Sequence, residues 1–300
     1  MENKVLVTGA SGFLGNEIIA SFIQKNQIVH SLGRKNCEYN IALDKAIPSF
    51  NESFDVVIHA AGKAHMVPKN QNENDDFYLV NVTGTKNLLK ALERSNSVKE
   101  FVFISSVSVY GLDKGTEINE LTPLLASDPY GRSKILAEKI VEEWCSQNNV
   151  VCTILRLPLL VGYAPPGNLG KMINAIENGR YFNIGDKDVF KSMVLVKDVA
   201  NFLPIVSKIG GIFNLTDGIH PSFKELSKAI AINKRKKVFT IPTIFFYPIA
   251  KFGDFFSFIP FNSKIFNKIT SSLTFCDQKA RDVLGWKPNS VLEFIKNNNI

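Results

Sequence analysis

Cysteine is scarce in this 300-residue chain: Cys37, Cys145, Cys152 and Cys276 are the only four, with no C-x-x-C pair and no cluster with histidine. Neither a disulfide framework nor a zinc site is indicated, no metal ligand is expected, and four free thiols in a reducing compartment are the ordinary reading. Long apolar runs are missing as well. The most apolar stretch, residues 238–261, is interrupted by Pro242, Pro248, Lys251 and Asp254, whereas a spanning helix needs about 20 apolar residues in succession. Met1-Glu2-Asn3-Lys4 leads directly into an apolar strand that turns at Gly9, so no signal peptide is read and a cytoplasmic location is the expectation. Internal repeats and low-complexity linkers are absent too.

What is present is globular composition, 45% hydrophobic and 21% charged, at a length that suggests about two domains. The net charge of +7 is unevenly placed. The last eighty residues carry 13 Lys/Arg against 5 Asp/Glu, a local basicity that suits a nucleic acid, a membrane surface or a substrate with phosphates. Short β-branched runs at Val5–Val7, Ile28–Leu32, Asp55–His59, Phe101–Ile104 and Val151–Leu155 alternate with helical spacing. Helices are predicted over Phe13–Phe22, Val80–Leu92 and Pro129–Trp144. This pattern predicts an α/β fold with a doubly wound parallel sheet and a smaller C-terminal substrate lobe. The expected division is a dinucleotide-binding domain over 1–156, with a return near 193–206, and a mostly substrate-binding lobe over 157–300.

The first strand is followed by Thr8-Gly9-Ala10-Ser11-Gly12-Phe13-Leu14-Gly15, a G-x-x-G-x-x-G loop opening a helix. Such glycines permit the tight turn, the backbone's approach to a pyrophosphate and close helix–strand packing, while the helix start offers free N–H groups to the anion. A carboxylate that would grip the ribose diol of NAD is expected at the end of the second strand, but the residues there are Gly33-Arg34-Lys35. Two cations favour the 2′-phosphate of NADP, with NAD as the alternative if Arg34 only stacks on adenine. Asp44 either contacts the adenine edge or caps its loop. Further on, Tyr130 and Lys134 stand four residues apart at a helix start primed by Asp128-Pro129, which puts both on one face. A neighbouring cation and the nicotinamide charge are expected to lower the phenol toward a usable acid/base. Ser106 and Ser108 stand at the carboxyl end of a strand, where open α/β sheets bind ligands; Ser106 is the candidate to hold a reacting carbonyl and Ser108 a second contact.

These residues, with His59-Ala60-Ala61-Gly62, Asn81-Val82-Thr83-Gly84-Thr85 and Leu284-Gly285-Trp286-Lys287-Pro288, resemble the extended short-chain dehydrogenase/reductases, the NAD-dependent epimerase/dehydratase family, over nearly the whole chain. The resemblance implies that Ser106, Tyr130 and Lys134 form the catalytic triad, that Ala60, Ala61 and Gly62 line the cofactor, that Asn81 organises the site, and that Tyr130 and Lys134 contact the nicotinamide ribose. It implies a homodimer, with helices near 75–95 and 129–147 pairing across a two-fold, and a nucleotide-sugar substrate. The family's dehydratases carry an Asp-Glu pair after the strand-end hydroxyl. This chain has Val107-Ser108 there, which argues against elimination of water. Reduction of a 4-keto sugar by NADPH and 4-epimerisation with retained NAD remain.

The segments His59–Val67, Arg156–Gly162, Gly167–Leu169 and Ser271–Leu273 look like bacterial enzymes that reduce a UDP-4-keto-6-deoxy-N-acetylhexosamine for surface polysaccharides, whereas Val109-Tyr110-Gly111 is closer to the epimerase form. Asn168 and Lys191 are the candidate substrate-side residues, Lys191 standing where many relatives have arginine for the diphosphate. His59 and His65 are expected to be structural. A non-enzymatic NADP-binding sensor is the rival of another class, though such proteins usually lack the tyrosine. The basic, aromatic segment 234–261 is either a substrate lobe packing its own phenylalanines or a contact for the inner face of a membrane or a glycosyltransferase; nucleic acid is not expected, since no recognition motif accompanies it.

Overall fold

A computed structural model describes residues 3–64, 70–94, 97–185, 187–255, 261–298 and 300. It begins with β1 (Lys4–Thr8), α1 (Phe13–Gln24), β2 (Ile28–Gly33), β3 (Tyr39–Asn40) and β4 (Val56–His59). Next come α2 (Gln71–Tyr78), a π-helical turn (Leu79–Thr83), α3 (Gly84–Glu93), β5 (Glu100–Ser106), a 3₁₀ turn (Val107–Tyr110), β6 (Gly115–Ile118), α4 (Pro129–Gln147) and β7 (Val151–Leu157). Then follow β8 (Leu159–Val161), α5 (Gly167–Glu177), β9 (Phe182–Ile184), β10 (Met193–Leu195), α6 (Val196–Val206), β11 (Gly211–Asn214) and α7 (Phe223–Asn233). The last are β12 (Phe239–Ile241), a 3₁₀ turn (Thr243–Phe245), α8 (Phe246–Phe255), α9 (Ser263–Thr270), β13 (Leu273–Phe275), α10 (Gln278–Leu284) and α11 (Val291–Asn297).

Seven strands form one parallel sheet in the order β11-β7-β5-β4-β1-β2-β3, with the strands numbered upward on both sides of β1, the doubly wound arrangement. Side-chain alternation decides what each face buries. Val5, Val7, Val56, Ile58, Val102, Ile104, Leu155 and Leu157 meet α1 and α6, through Ile18, Phe22, Val199 and Leu203. Their alternate neighbours Leu6, Val57, Phe101, Phe103 and Ile154 meet α3 and α4 on the other face, through Leu88, Leu92, Val141 and Trp144. Both faces are buried, so the strands read as continuous apolar runs. Each such fully buried aliphatic side chain contributes roughly 1.5–3 kcal/mol. Outside the main sheet stand three two-stranded parallel pairs, β8–β10 and β9–β12, which follow β7, and β6–β13, which joins the segment before α4 to the C-terminal region. A third core joins α5, α7 and α11 through Ile173, Ile230, Val291 and Ile295.

Local capping fixes the helix starts that matter. Asp128 accepts the Gly131 N–H at 3.0 Å and Pro129 occupies the first turn of α4, which holds Tyr130 at the rim of the sheet. Ser222 and Glu225 form a reciprocal capping box on α7. The helix expected over Val80–Leu92 is in fact a π-helical turn followed by α3. Asn81 lies in this wider turn and is almost wholly buried. Among the described residues no helix is long and apolar enough to cross a membrane.

Candidate active site

A cavity of about 500 Å³ opens at the carboxyl ends of β1, β2 and β4. Its wall includes Gly9, Ser11, Gly12, Arg34, Lys35, Asp44, Ala60, Ala61 and Gly62, so those sequence-chosen residues are brought together. Arg34 and Lys35 are exposed and make no ion pair among the described residues. The glycines are required sterically. Gly9 has φ +68, and a Cβ there would stand 2.7 Å from the Ala61 nitrogen; a Cβ on Gly15 would collide with the Gly9 carbonyl oxygen. Gly15→Ala is therefore expected to lower stability by about 1–3 kcal/mol and to weaken dinucleotide binding, measured by denaturant unfolding and fluorescence titration. Phe13 and Leu14, expected at the cofactor, do not line the cavity. The Leu14 side chain is in the core and the Phe13 ring packs toward Gly162. Leu32, Gly33, Ile41, Leu43 and Val80 also line the cavity. Leu32 and Gly33 adjoin the cations in sequence, but the turn after β3 that brings Ile41 and Leu43 in has no periodic signal.

Beneath the cavity a chain of hydrogen bonds fixes a tautomer. The Thr85 hydroxyl donates to the Asn81 carbonyl at 2.6 Å, so it can only accept from His59 Nε2, 2.9 Å away. His59 Nδ1 then accepts from the Thr8 hydroxyl at 2.6 Å, and the Thr8 oxygen accepts the Ala61 N–H at 3.2 Å. His59 is thus a neutral structural strut. Burial, with the Lys134 charge second, takes its pKa down from 6.5 to about 3. Because the unfolded chain gains that proton near pH 6.5 and the native state refuses it until about 3, stability falls as pH drops through that window. His59→Gln is expected to remove this part of the slope in unfolding curves taken from pH 7 to 4. His65 lies outside the described residues.

Ser106, Tyr130 and Lys134 meet at the same end of the sheet. Lys134 Nζ donates to the Ile104 carbonyl at 2.7 Å and lies 4.4 Å from the Phe103 ring centroid. A Cβ on Gly62 would stand 3.5 Å from that ammonium and 3.2 Å from Asn81 Oδ1, which joins the triad to the cavity floor. Asn81 accepts the Lys63 N–H at 2.7 Å and donates to the Ser133 hydroxyl at 2.9 Å, bracing the loop after β4 against α4. Burial lowers the Lys134 pKa to about 8 against the pull of Glu138. The Tyr130 phenol departs from expectation. Burial raises it above the ordinary tyrosine value, the Ser106 hydroxyl pulls it down and the Asp128 charge raises it further. Lys134, the cation expected to lower it, is not among the groups that shift it here. Ser106 Oγ accepts the Ser108 N–H at 3.2 Å and lies 3.2 Å from Ser108 Oγ, so both serines stand together at the end of β5.

The substrate-side candidates are less gathered. Asn168 is exposed near the start of α5, and Lys191 is half-buried, its Nζ donating to the Lys268 carbonyl at 3.2 Å; neither lines the cavity. Burial, then the Lys268 charge, lowers the Lys191 pKa to about 8, with Asp113 opposing. Behind the triad runs a buried network that the motifs do not signal. Arg156 on β7 donates to both Glu138 oxygens, at 2.7 and 3.2 Å, and to the Tyr110 hydroxyl at 3.2 Å; that hydroxyl donates to Asn214 at 2.8 Å. Ser105 also donates to Glu138. His30, Glu38 and Glu52 lie close enough together to share an ion, but Lys4 Nζ already sits 2.9 Å from Glu52.

Comparison with known proteins finds relatives that span most of the chain. An undecaprenol-linked sugar enzyme of Escherichia coli O157:H7, N-acetyl-alpha-D-glucosaminyl-diphospho-ditrans,octacis-undecaprenol 4-epimerase, is 29% identical over 273 residues, covering 85% of this chain and 79% of the relative. UDP-glucose 4-epimerase of Vibrio cholerae is 26% identical over 314 aligned positions, covering 98% and 93%. Among solved structures, the UDP-Glc/GlcNAc 4-epimerase of Campylobacter jejuni superposes with a TM-score of 0.77 at 20% identity, over 99% of this chain and 98% of that one. RMD from Pseudomonas aeruginosa, complexed with NADPH, gives 0.73 at 22%, over 98% and 97%. With residues 5–214 matching the family's profile and the glycine loop, Ser106, Tyr130 and Lys134 assembled at one sheet end, the chain belongs to the NAD dependent epimerase/dehydratase family of enzymes.

Proposed function

We propose that this enzyme transfers hydride at C4 of a nucleotide-linked sugar, and that its reaction is the reduction of a 4-keto sugar with NADPH, the substrate being a UDP-4-keto-6-deoxy-N-acetylhexosamine. The observation that carries this reading is the pair Arg34 and Lys35, exposed cations on the cavity wall just after β2 with no ion pair among the described residues, where a ribose-binding acid would disfavour a 2′-phosphate.

A bound nicotinamide dinucleotide supplies the hydride; the glycine loop, Arg34, Lys35, Asp44 and Ala60–Gly62 would hold it. The Ser106 hydroxyl donates to the sugar carbonyl and fixes its position beside Tyr130. Tyr130 gives its proton to the oxygen as negative charge develops there. The Lys134 ammonium, held by the Ile104 carbonyl, stabilises the phenolate left behind. Lys191 offers a cation to the diphosphate and Asn168 an amide to the diphosphate or sugar. Val107 and Ser108 supply no acid pair, so dehydration is not proposed. By family resemblance we also propose a homodimer through α3 and α4, to be checked by light scattering.

Replacing Arg34 and Lys35 by serine is expected to weaken NADPH binding about tenfold or more while leaving NADH nearly unchanged, read by fluorescence titration. Equal affinities of the unaltered enzyme for the two cofactors would overturn the assignment. The second reading is 4-epimerisation, favoured by the activity named for both curated relatives. It predicts NAD released in stoichiometric amount when the purified protein is denatured, and turnover without added cofactor.

A further inference from the structure

The segment from β12 through α9 divides its aromatic side chains between two uses. Phe246 stacks on Phe182 with centroids 5.7 Å apart and meets Phe261 edge-on at 6.2 Å, while Phe266 meets both Phe261 and Tyr247 at 6.2 Å. These rings tie α8 to α9 and to β9. Others turn outward. Ile244 is 72% exposed, Phe239 71%, Phe245 64% and Phe252 62%, with Tyr247 and Ile249 about half exposed beside them. Exposed apolar side chains in this density along one short segment form a surface patch that the other described residues leave open.

Cations flank the patch along the chain, one of them, Lys268, 3.8 Å from Asp113. Lys234, Arg235, Lys236 and Lys237 precede it, Lys251 lies within it, and Lys264 and Lys268 follow on α9. The one acid in 234–270 is Asp254, whose carboxylate accepts the Ser263 N–H and hydroxyl at 2.9 and 2.6 Å and so serves as a turn cap. Lys251 Nζ sits 5.7 Å from the Tyr247 ring centroid, a cation at the edge of the aromatic layer.

We propose that this surface docks on an anionic lipid bilayer, with Ile244, Phe245 and Phe252 entering the boundary between headgroups and acyl chains and the surrounding cations meeting the phosphates. Ile244 and Tyr247 also line an open cavity of about 550 Å³ with Pro248 and Phe266, whereas Phe239, Phe245 and Phe252 stand outside that lining; exposed apolar groups of this kind suit a fluid interface, and the flanking cations match a negative leaflet in sign. A second copy of the chain is a poor occupant, since it would bring the same excess of positive charge against itself. Through the Lys191–Lys268 contact the patch lies beside the substrate-side cation, so docking would hold the sugar site close to the membrane surface.

The test is sedimentation of the full-length protein with vesicles of phosphatidylcholine alone and with about 30% phosphatidylglycerol. Binding to the anionic vesicles is expected to exceed that to the neutral ones at least tenfold and to fall at 0.5 M salt, where the Debye length shrinks to about 4 Å. Phe245→Ser with Phe252→Ser is expected to cut it about tenfold further; both positions are solvent-exposed, so an unchanged far-ultraviolet spectrum and melting midpoint will accompany the loss. No preference for anionic vesicles, or binding indifferent to the two serines, overturns the proposal. So does conversion of an oligomer to a smaller species by those serines, which would make the patch a protein interface. NADPH titration of the same variants stays normal in every case and reads the cofactor site separately.

Discussion

Tyr130→Phe will lower kcat by about 10²–10⁴-fold while leaving cofactor affinity within a few-fold of the parent, because a positioned general acid contributes that much and the cavity wall does not include the phenol. The substitution removes one hydroxyl from a half-buried ring that also packs on Phe77, centroids 5.9 Å apart, so the fold has no reason to change. Steady-state turnover beside fluorescence titration separates the two effects. If the chain were instead a sensor that only binds the dinucleotide, the substitution would leave its output intact. A residual rate within tenfold of the parent would mean that Ser106, or water, delivers the proton. Ser106→Ala provides the control, since it removes the partner that pulls the phenol downward and the donor that would hold the carbonyl.

The second large effect is structural. Glu138 and Arg156 are both about 2% exposed, and the guanidinium has its fork on that one carboxylate. Glu138→Ala strands a buried arginine, and loss of about 3–5 kcal/mol is expected in denaturant unfolding. The Arg156→Met and Glu138→Leu double replacement is expected to recover much of it, since apolar packing removes the need for charge compensation. A loss below about 1 kcal/mol would show that Tyr110 and neighbouring carbonyls suffice for the guanidinium. The pair also reaches the chemistry indirectly. Glu138 stands one turn beyond Lys134 on α4 and raises its proton affinity, so activity in the variant is expected to become more sensitive to alkaline pH as Lys134 loses its proton earlier.

Much of the fold was legible because it depends on local rules. The strands expected at Val5–Val7, Ile28–Leu32, Asp55–His59, Phe101–Ile104 and Val151–Leu155 fall on β1, β2, β4, β5 and β7, where β-branched residues cluster, and the helix at Pro129 starts where Asp128 caps it. The glycine loop was legible for a steric reason that holds in any sequence context: only a residue without Cβ tolerates the backbone at Gly9 and the contact at Gly15. The Tyr130–Lys134 spacing likewise needs nothing but the helical repeat.

Other features had no local signature. β3, two residues long, and β11 are too short to show alternation, yet they complete the two edges of the main sheet. The π-helical turn at Leu79–Thr83 interrupts what reads as one helix, and Asn81 is buried within it. The phenylalanines of 239–266 are indistinguishable by composition, but some stack with one another and others face solvent, according to which neighbours α9 and β9 supply.

By itself, then, the sequence determined the alternating α/β order, the phosphate loop, the acid/base pair on one helix face and the cations that stand where a ribose-binding acid is expected. Each follows from backbone geometry within a few residues. Only the tertiary structure decided the proton order from Thr85 through His59 to Thr8, the engagement of Lys134 by the Ile104 carbonyl, and the burial that raises Tyr130. Those depend on which distant segments meet. A hydrogen bond's direction and a side chain's pKa are set by the partners and solvent excluded at that point, and no periodicity along the chain encodes them.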